Sequence, residues 1–291
     1  MNLAFNLSLI GYFVALLLAA ANLFSREKQR FATATTGLLA AGALAQTVYL
    51  ALRWMQAGRP PFSNMFESLV LFAWTIVVVF LSLQLRLKVP LLALLSALLA
   101  VLTLAYASTY ESDIKPLMPA LRSNWLTFHV FTCFLGYGGV AVAFLSSATH
   151  LLKGRDARSV PPESLHVDLA NKLTPTTPAS LPERLVSPNI APALEAVTDK
   201  GIAFGFLFLT VGILSGAVWA NAAWGTYWSW DPKETWSLIT WLIYAVFLHC
   251  RFMRGWRGTR AAWISVLGFA SVMFTYFGVN FFLYGLHSYA K

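Results

Sequence analysis

Apolar residues recur in eight long runs separated by short polar stretches, unlike the brief amphipathic stripes of a soluble fold. The runs fall near 3–24, 33–54, 66–85, 89–107, 125–151, 200–222, 236–253 and 261–284. Each is close to the ~20 residues that a helix needs to cross a bilayer. The pattern predicts an all-α integral membrane protein of about eight transmembrane helices, forming one polytopic domain over 1–291. The first run has no basic segment ahead of it and is too long for a signal-peptide core, so it is expected to be retained as the first helix. Asp231-Pro232-Lys233-Glu234 reads as a helix start. Asp231 is the N-cap, Pro232 takes the first position and Glu234 closes a capping-box-like pair. Between 152 and 199 the chain carries Pro161, Pro162, Pro175, Pro178, Pro182, Pro188 and Pro192 among Ser and Thr. This is the composition of a flexible or partly helical connector.

Charge sets the expected orientation. With the N-terminus outside, the inside loops hold Arg26, Lys28, Arg30, Arg86, Lys88, Lys153, Arg155, Arg158, Lys172, Arg184, Lys200, Arg251, Arg254, Arg257 and Arg260. Only Arg53, Arg59, Lys115, Arg122, Lys233 and Lys291 remain outside. Cytoplasmic loops concentrate Lys and Arg, so both termini are expected to be extracytoplasmic. Composition agrees with the membrane reading: 11% of residues are charged, against about 25% in soluble domains, and the mean hydropathy is +0.63. The net charge of +9 does not point to nucleic acid, because the basic residues are spread over short loops and form no single face. Cys133 and Cys250 belong to no metal-spaced set and fall near opposite membrane faces. A disulfide between them is therefore not expected, and both read as small buried residues.

The candidate chemistry lies on the outer face. Trp224, Trp228, Trp230, Trp236 and Trp241 crowd the junction of the sixth and seventh runs. An interfacial belt needs one or two rings per helix end; this strip is denser and is broken by Gly, Ser, Asp and Pro. Trp224, Tyr227, Trp228 and Trp230 precede the helix start and form a candidate aromatic platform, with Asp231 and Trp236 completing the expected contact set over the loop 222–236. His129, one turn into the fifth run, and His287, just past the eighth, fall on the same face. One such histidine is most simply an interfacial polar residue. Two beside a tryptophan platform suit the axial ligands of a haem iron, with indoles covering the flat porphyrin. His249 lies about 20 Å along the seventh helix from Trp236 at 1.5 Å per residue, toward the cytoplasmic side, where an ionisable residue is either a functional site or a histidine hydrogen-bonded to a neighbouring helix. No second deep histidine pairs with it, so a second ligand there would come from another subunit. His150 reads as interfacial and His166 as a solvated loop histidine.

The block WGTYWSWDPKETWSLITWLIYAVFLHCR (224–251) resembles the tryptophan-rich WWD signature of the CcsA (ResC) family of System II cytochrome c biogenesis proteins, within a haem-handling superfamily that includes CcmC and CcmF. RPPFSNMFESLVLF (59–72), SNWLTFHVFTCFLGYG (123–138) and GVNFFLYGLHSYA (278–290) fit the same family, so the resemblance runs from 59 to the C-terminus. It implies that His129 and His287 hold haem b at the WWD loop and that His249 belongs to a lower haem site. It also implies a CcsB/ResB-type membrane partner, an apocytochrome c whose CxxCH thiols are joined to haem, and a thioredoxin-like thiol reductant. No catalytic acid, base or nucleophile is expected. The expected setting is a bacterial plasma membrane, in preference to a thylakoid, with an extracytoplasmic active face. A haem transporter without ligation activity, or a structural subunit with a tryptophan belt, are the alternative readings. Asn64 and Glu67 acquire no role from the resemblance.

Overall fold

The computed structural model describes residues 2–25, 27–87, 89–117, 121–157, 190–283 and 285. Among the described residues eight long helices follow one another: α1 (Asn2–Phe24), α2 (Lys28–Ala57), α3 (Met65–Leu87), α4 (Pro90–Ala107), α5 (Asn124–Ala157), α6 (Ala191–Trp224), α7 (Pro232–Phe252) and α8 (Thr259–Met273). A π-helical turn, Phe274–Gly278, and a short α9 (Val279–Phe282) continue α8. The chain is an all-helical integral membrane protein. Seven spans among the described residues are long and apolar enough to cross a bilayer: α1 to α6, and α8 with its extension to Phe282. The seventh expected span, α7, falls short because it carries Lys233, Glu234, His249 and Arg251 among its apolar residues. It depends on its neighbours to satisfy those groups.

Small residues let the central helices approach. α5 and α6 pack along much of their length through facing glycines. A Cβ on Gly139 would lie 2.9 Å from Gly201 O, and one on Gly136 would lie 3.1 Å from Gly205 O. Membrane helices associate through such close backbone contact, since lipid offers little hydrophobic drive. α3 is the most enclosed span, with Leu69, Val70, Ile76 and Val77 almost fully buried. A polar thread ties α1, α2 and α3 together. Tyr12 Oη donates to Gln46 Oε1 (2.6 Å), and Gln46 Nε2 donates to Val70 O (2.8 Å).

The loop 225–231 marks the upper end of the bundle. At the lower end, Arg251 of α7 donates to Asp199 Oδ2 (2.7 Å) and Glu195 Oε2 (2.9 Å) of α6. Gly258 N donates to Glu195 Oε1 (3.0 Å). These acids sit in the first turns of a helix that begins at Ala191, with Pro192 beside its start. Residues 191–199, expected in the connector, are therefore helical, as are 152–157 at the end of α5. The ion pairs with Arg251 hold this extension against α7.

Candidate functional site

A cavity of about 490 Å³ opens at the upper end, bounded by α3, α5, α6, α7 and the π turn. That volume lies within the usual range of about 300–1,000 Å³ for small-molecule sites. His129 reaches it from the second turn of α5. Its Nδ1 lies 2.6 Å from Gly212 O. A carbonyl only accepts, so Nδ1 carries the proton and Nε2 carries the lone pair, the arrangement that orients a metal-ligating imidazole. Gly216 makes room for this ring, since a Cβ there would fall 2.6 Å from both Cε1 and Nδ1. Trp219, 1% exposed, lies parallel to the imidazole at 6.3 Å and 12°. One imidazole aimed into an aromatic cavity suits a flat macrocycle with a metal centre. Among the described residues no group of three or more His, Cys, Asp or Glu could bind a bare ion.

The tryptophan strip divides between the cavity and its supports. α6 stops at Trp224 because Gly225 takes a left-handed conformation (φ 80°) as its C-cap. Tyr227 and Trp228 line the cavity. Trp224 packs at 4.7 Å on Trp219, which lines it, and Trp230 stands edge-on to Trp228 at 5.9 Å and 88°. Trp230 is 69% exposed and is the one non-glycine at positive φ (59°) among the described residues. Asp231 and Glu234 form the expected capping box: Asp231 Oδ1 accepts from Lys233 N (3.0 Å), and Glu234 Oε2 accepts from Asp231 N (3.2 Å). Trp236 packs on Phe274 at 4.1 Å, and Trp241 donates to Thr210 Oγ1 at 2.8 Å. Asp231, Trp236 and Trp241 thus hold the loop and α7 in place instead of lining the cavity.

A buried ionic brace supports the opposite wall. Glu67, fully buried in the first turn of α3, accepts from Arg53 Nε (2.9 Å) and Arg59 Nη1 (2.9 Å), and from Ser63 N (2.9 Å). The two guanidiniums also donate to Ser112 O (2.8 Å) and Lys115 O (3.1 Å), which clamps the segment after α4 to the loop before α3. Asn64 caps α3, its Oδ1 accepting from Glu67 N at 2.8 Å. The sequence held a signal for this brace. Arg53 and Glu67 both fall inside expected spans, where charges are tolerated only in pairs. Trp219 carried no such signal, being buried within a helix away from the dense strip.

The other histidines lie elsewhere. His249 occupies the last turn of α7, close to Arg251, with its side chain exposed on the bundle surface. α7 stops at Phe252, one residue before the expected end of its span, so His249 keeps its expected place toward the lower end of the helix. His150 lies at a small lower-end pocket with Glu195 and Arg251. His287 and His166 lie outside the described residues. Cys133 and Cys250 are both free, as expected.

Residues 62–287 match the family described as Cytochrome C assembly protein. The chain is 39% identical over 289 residues to the cytochrome c biogenesis protein CcsA of Gloeobacter violaceus, covering 87% of this chain and 85% of that protein. It is 38% identical over 296 residues to the CcsA of Synechococcus sp. strain CC9605, covering 99% and 97%. The chain belongs to the CcsA family of cytochrome c assembly proteins. The family match takes in α3 to α9, and with them the cavity, His129 and the tryptophan strip. Among solved structures, the cytochrome c haem lyase CcmF shares the fold of this CcsA-family chain at a TM-score of 0.66 and 20% identity, covering 95% of the chain and 46% of that structure.

Proposed function

We propose that the chain serves cytochrome c biogenesis by binding haem b in the upper cavity and presenting it for thioether attachment to the CxxCH of an apocytochrome c. The observation that carries this reading is the His129 imidazole on the wall of an aromatic cavity, whose Nδ1–H bond to Gly212 O fixes the ring and makes Nε2 the atom that would take a metal. Haem fits those residues. The cavity has the volume for a large planar ligand, Tyr227, Trp228 and Trp219 supply apolar faces, and one imidazole supplies an axial ligand. His287 is proposed as the second ligand. In the attachment step each thiol adds across a vinyl group: sulfur bonds to one vinyl carbon, the thiol proton passes to the other, and no electrons are exchanged with an outside oxidant. The chain's part is to hold and orient haem and to keep water from its iron; the addition chemistry belongs to haem and thiols. This face is proposed to be extracytoplasmic, in a plasma membrane. His249, on the exposed surface of α7, is proposed to face a CcsB/ResB-type partner at a lower haem position, and a thioredoxin-like reductant supplies the thiols.

The chain co-expressed with its partner is expected to show a low-spin bis-histidine haem spectrum. His129→Gly should lose that spectrum and the covalent cytochrome product together. An unchanged spectrum in His129→Gly would sink the ligand assignment. Export of haem without any thioether-linked product would favour transport alone.

A further inference from the structure

Lys233 stands on the cavity wall at the second position of α7, partly buried. Its Nζ donates to Asn280 Oδ1 at 2.9 Å, its one hydrogen-bond partner among the described residues. No carboxylate there lies within ion-pairing distance of it. Asn280, itself on the cavity wall, is held in orientation by its own Nδ2, which donates to Tyr276 O at 2.7 Å and so turns Oδ1 to the ammonium. An ammonium has three donors, and Asn280 uses one. Two acids lie near it in sequence and neither forms an ion pair with its Nζ: Asp231 acts on it only through space while its Oδ1 accepts from Lys233 N (3.0 Å). The Glu234 carboxylate accepts from Ser229 N (2.8 Å) and Asp231 N (3.2 Å) across the loop. Charge on the rest of the wall leans the same way. Arg59 and Arg122 line the cavity, and the Arg53–Glu67–Arg59 brace sets two cations against one anion. A cation taken partly out of water with no carboxylate in ion-pairing contact is costly, and an incoming anion offsets that cost.

We propose that Lys233, steadied by Asn280, is the carboxylate seat of the cavity and takes a propionate of the bound porphyrin. This rests on the haem reading above. The two propionates share one edge of haem and the vinyl groups lie away from it. Seating the propionate edge at the start of α7 therefore decides which edge is offered to the thiols. Lys233 is thus a positioning residue: it selects an orientation and takes no part in forming the thioether.

The test compares ferric haem with its propionate dimethyl ester, titrated spectroscopically into the full-length chain in detergent, for the natural protein, Lys233→Gln and Lys233→Arg. Comparing ratios between proteins cancels the different partitioning of acid and ester into detergent. Charge-assisted hydrogen bonds of this kind correspond to about tenfold or more in affinity. The preference for the free acid over the ester should fall by at least that factor in Lys233→Gln and survive in Lys233→Arg, with ester affinity little changed. Equal weakening of acid and ester in Lys233→Gln would overturn the seat and mark Lys233 as a packing residue. An undiminished acid preference would overturn it as well. If the natural protein binds neither compound, the haem reading fails and takes this one with it; if it binds both and Lys233→Gln changes nothing, only the seat is lost.

Discussion

Glu67→Gln is the sharpest probe of the wall opposite the tryptophans. The carboxylate lies fully buried between Arg53, also 0% exposed, and Arg59 at 7%. The amide keeps the shape and removes the only negative charge of the brace. Two buried guanidiniums would then face each other without a counter-ion, and breaking a buried pair in this way costs about 3–5 kcal/mol. For a domain of this size, about 2–4 °C of melting temperature goes with each kcal/mol, so a fall of roughly 6–20 °C is expected in detergent-solubilised protein followed by thermal unfolding. Arg59→Met supplies the control. It leaves a matched Arg53–Glu67 pair and removes the surplus cation, so it should cost less than Glu67→Gln even though it deletes the Lys115 contact. If Arg59→Met proved the more damaging change, or Glu67→Gln moved the midpoint by less than about 2 °C, charge compensation would not be what holds this wall.

Gly216→Ala should push the His129 ring off Gly212 O, because the new Cβ would sit 2.6 Å from two ring atoms; low-spin haem absorption should fall while overpacking lowers stability by only about 1–3 kcal/mol, and the double change with His129→Gly should be no worse for haem than His129→Gly alone. Asp231→Ala should cost about 0.5–2 kcal/mol through loss of the α7 cap, seen as a lower melting temperature, while Asp231→Asn retains most of the stability. Trp230→Gly relieves a left-handed backbone worth about 1–2 kcal/mol and loses an edge-on ring pair worth about 0.5–1.5 kcal/mol. Its melting temperature should therefore stay nearly constant while haem retention on gel filtration drops; a marked fall in melting temperature would assign the residue to folding instead.

The helices were legible because crossing a bilayer imposes a length that hydropathy reports directly. The helix start at Asp231 was legible because N-cap, proline and capping-box residues act within four positions of one another. Long-range pairing was harder to read. α6 begins nine residues earlier than its apolar run suggests because Glu195 and Asp199 answer Arg251, a partner more than fifty residues away. The aromatic strip was visible as a whole, but its division of labour was not. Whether an indole lines a cavity or supports a neighbour depends on helix rotation: Trp228 faces inward and Trp236 packs on Phe274. Glu67 looked like an ordinary residue of a conspicuous segment because the arginines that define its role come from α2 and the following loop. His129 lies on the cavity wall beside Trp228, but the carbonyl that sets its tautomer belongs to a helix 83 residues away.

The π turn at Phe274–Gly278 has a consequence for chain length itself. A π turn accommodates one residue more than the α-helical spiral would hold, and each residue turns an α-helix by about 100°. Deleting a single residue from 274–278 would let α8 run on in regular register to Phe282. Asn280 would keep nearly the direction it has now, because the turn absorbs the extra residue; a deletion in α8 with the π turn left intact would instead rotate Asn280 by about 100°, away from Lys233. The π turn thus acts as a register-keeper: it lets one more residue enter the chain without turning the cavity wall, whereas an uncompensated one-residue change within α8, too small to alter the number of membrane crossings, would dismantle one side of the ligand site.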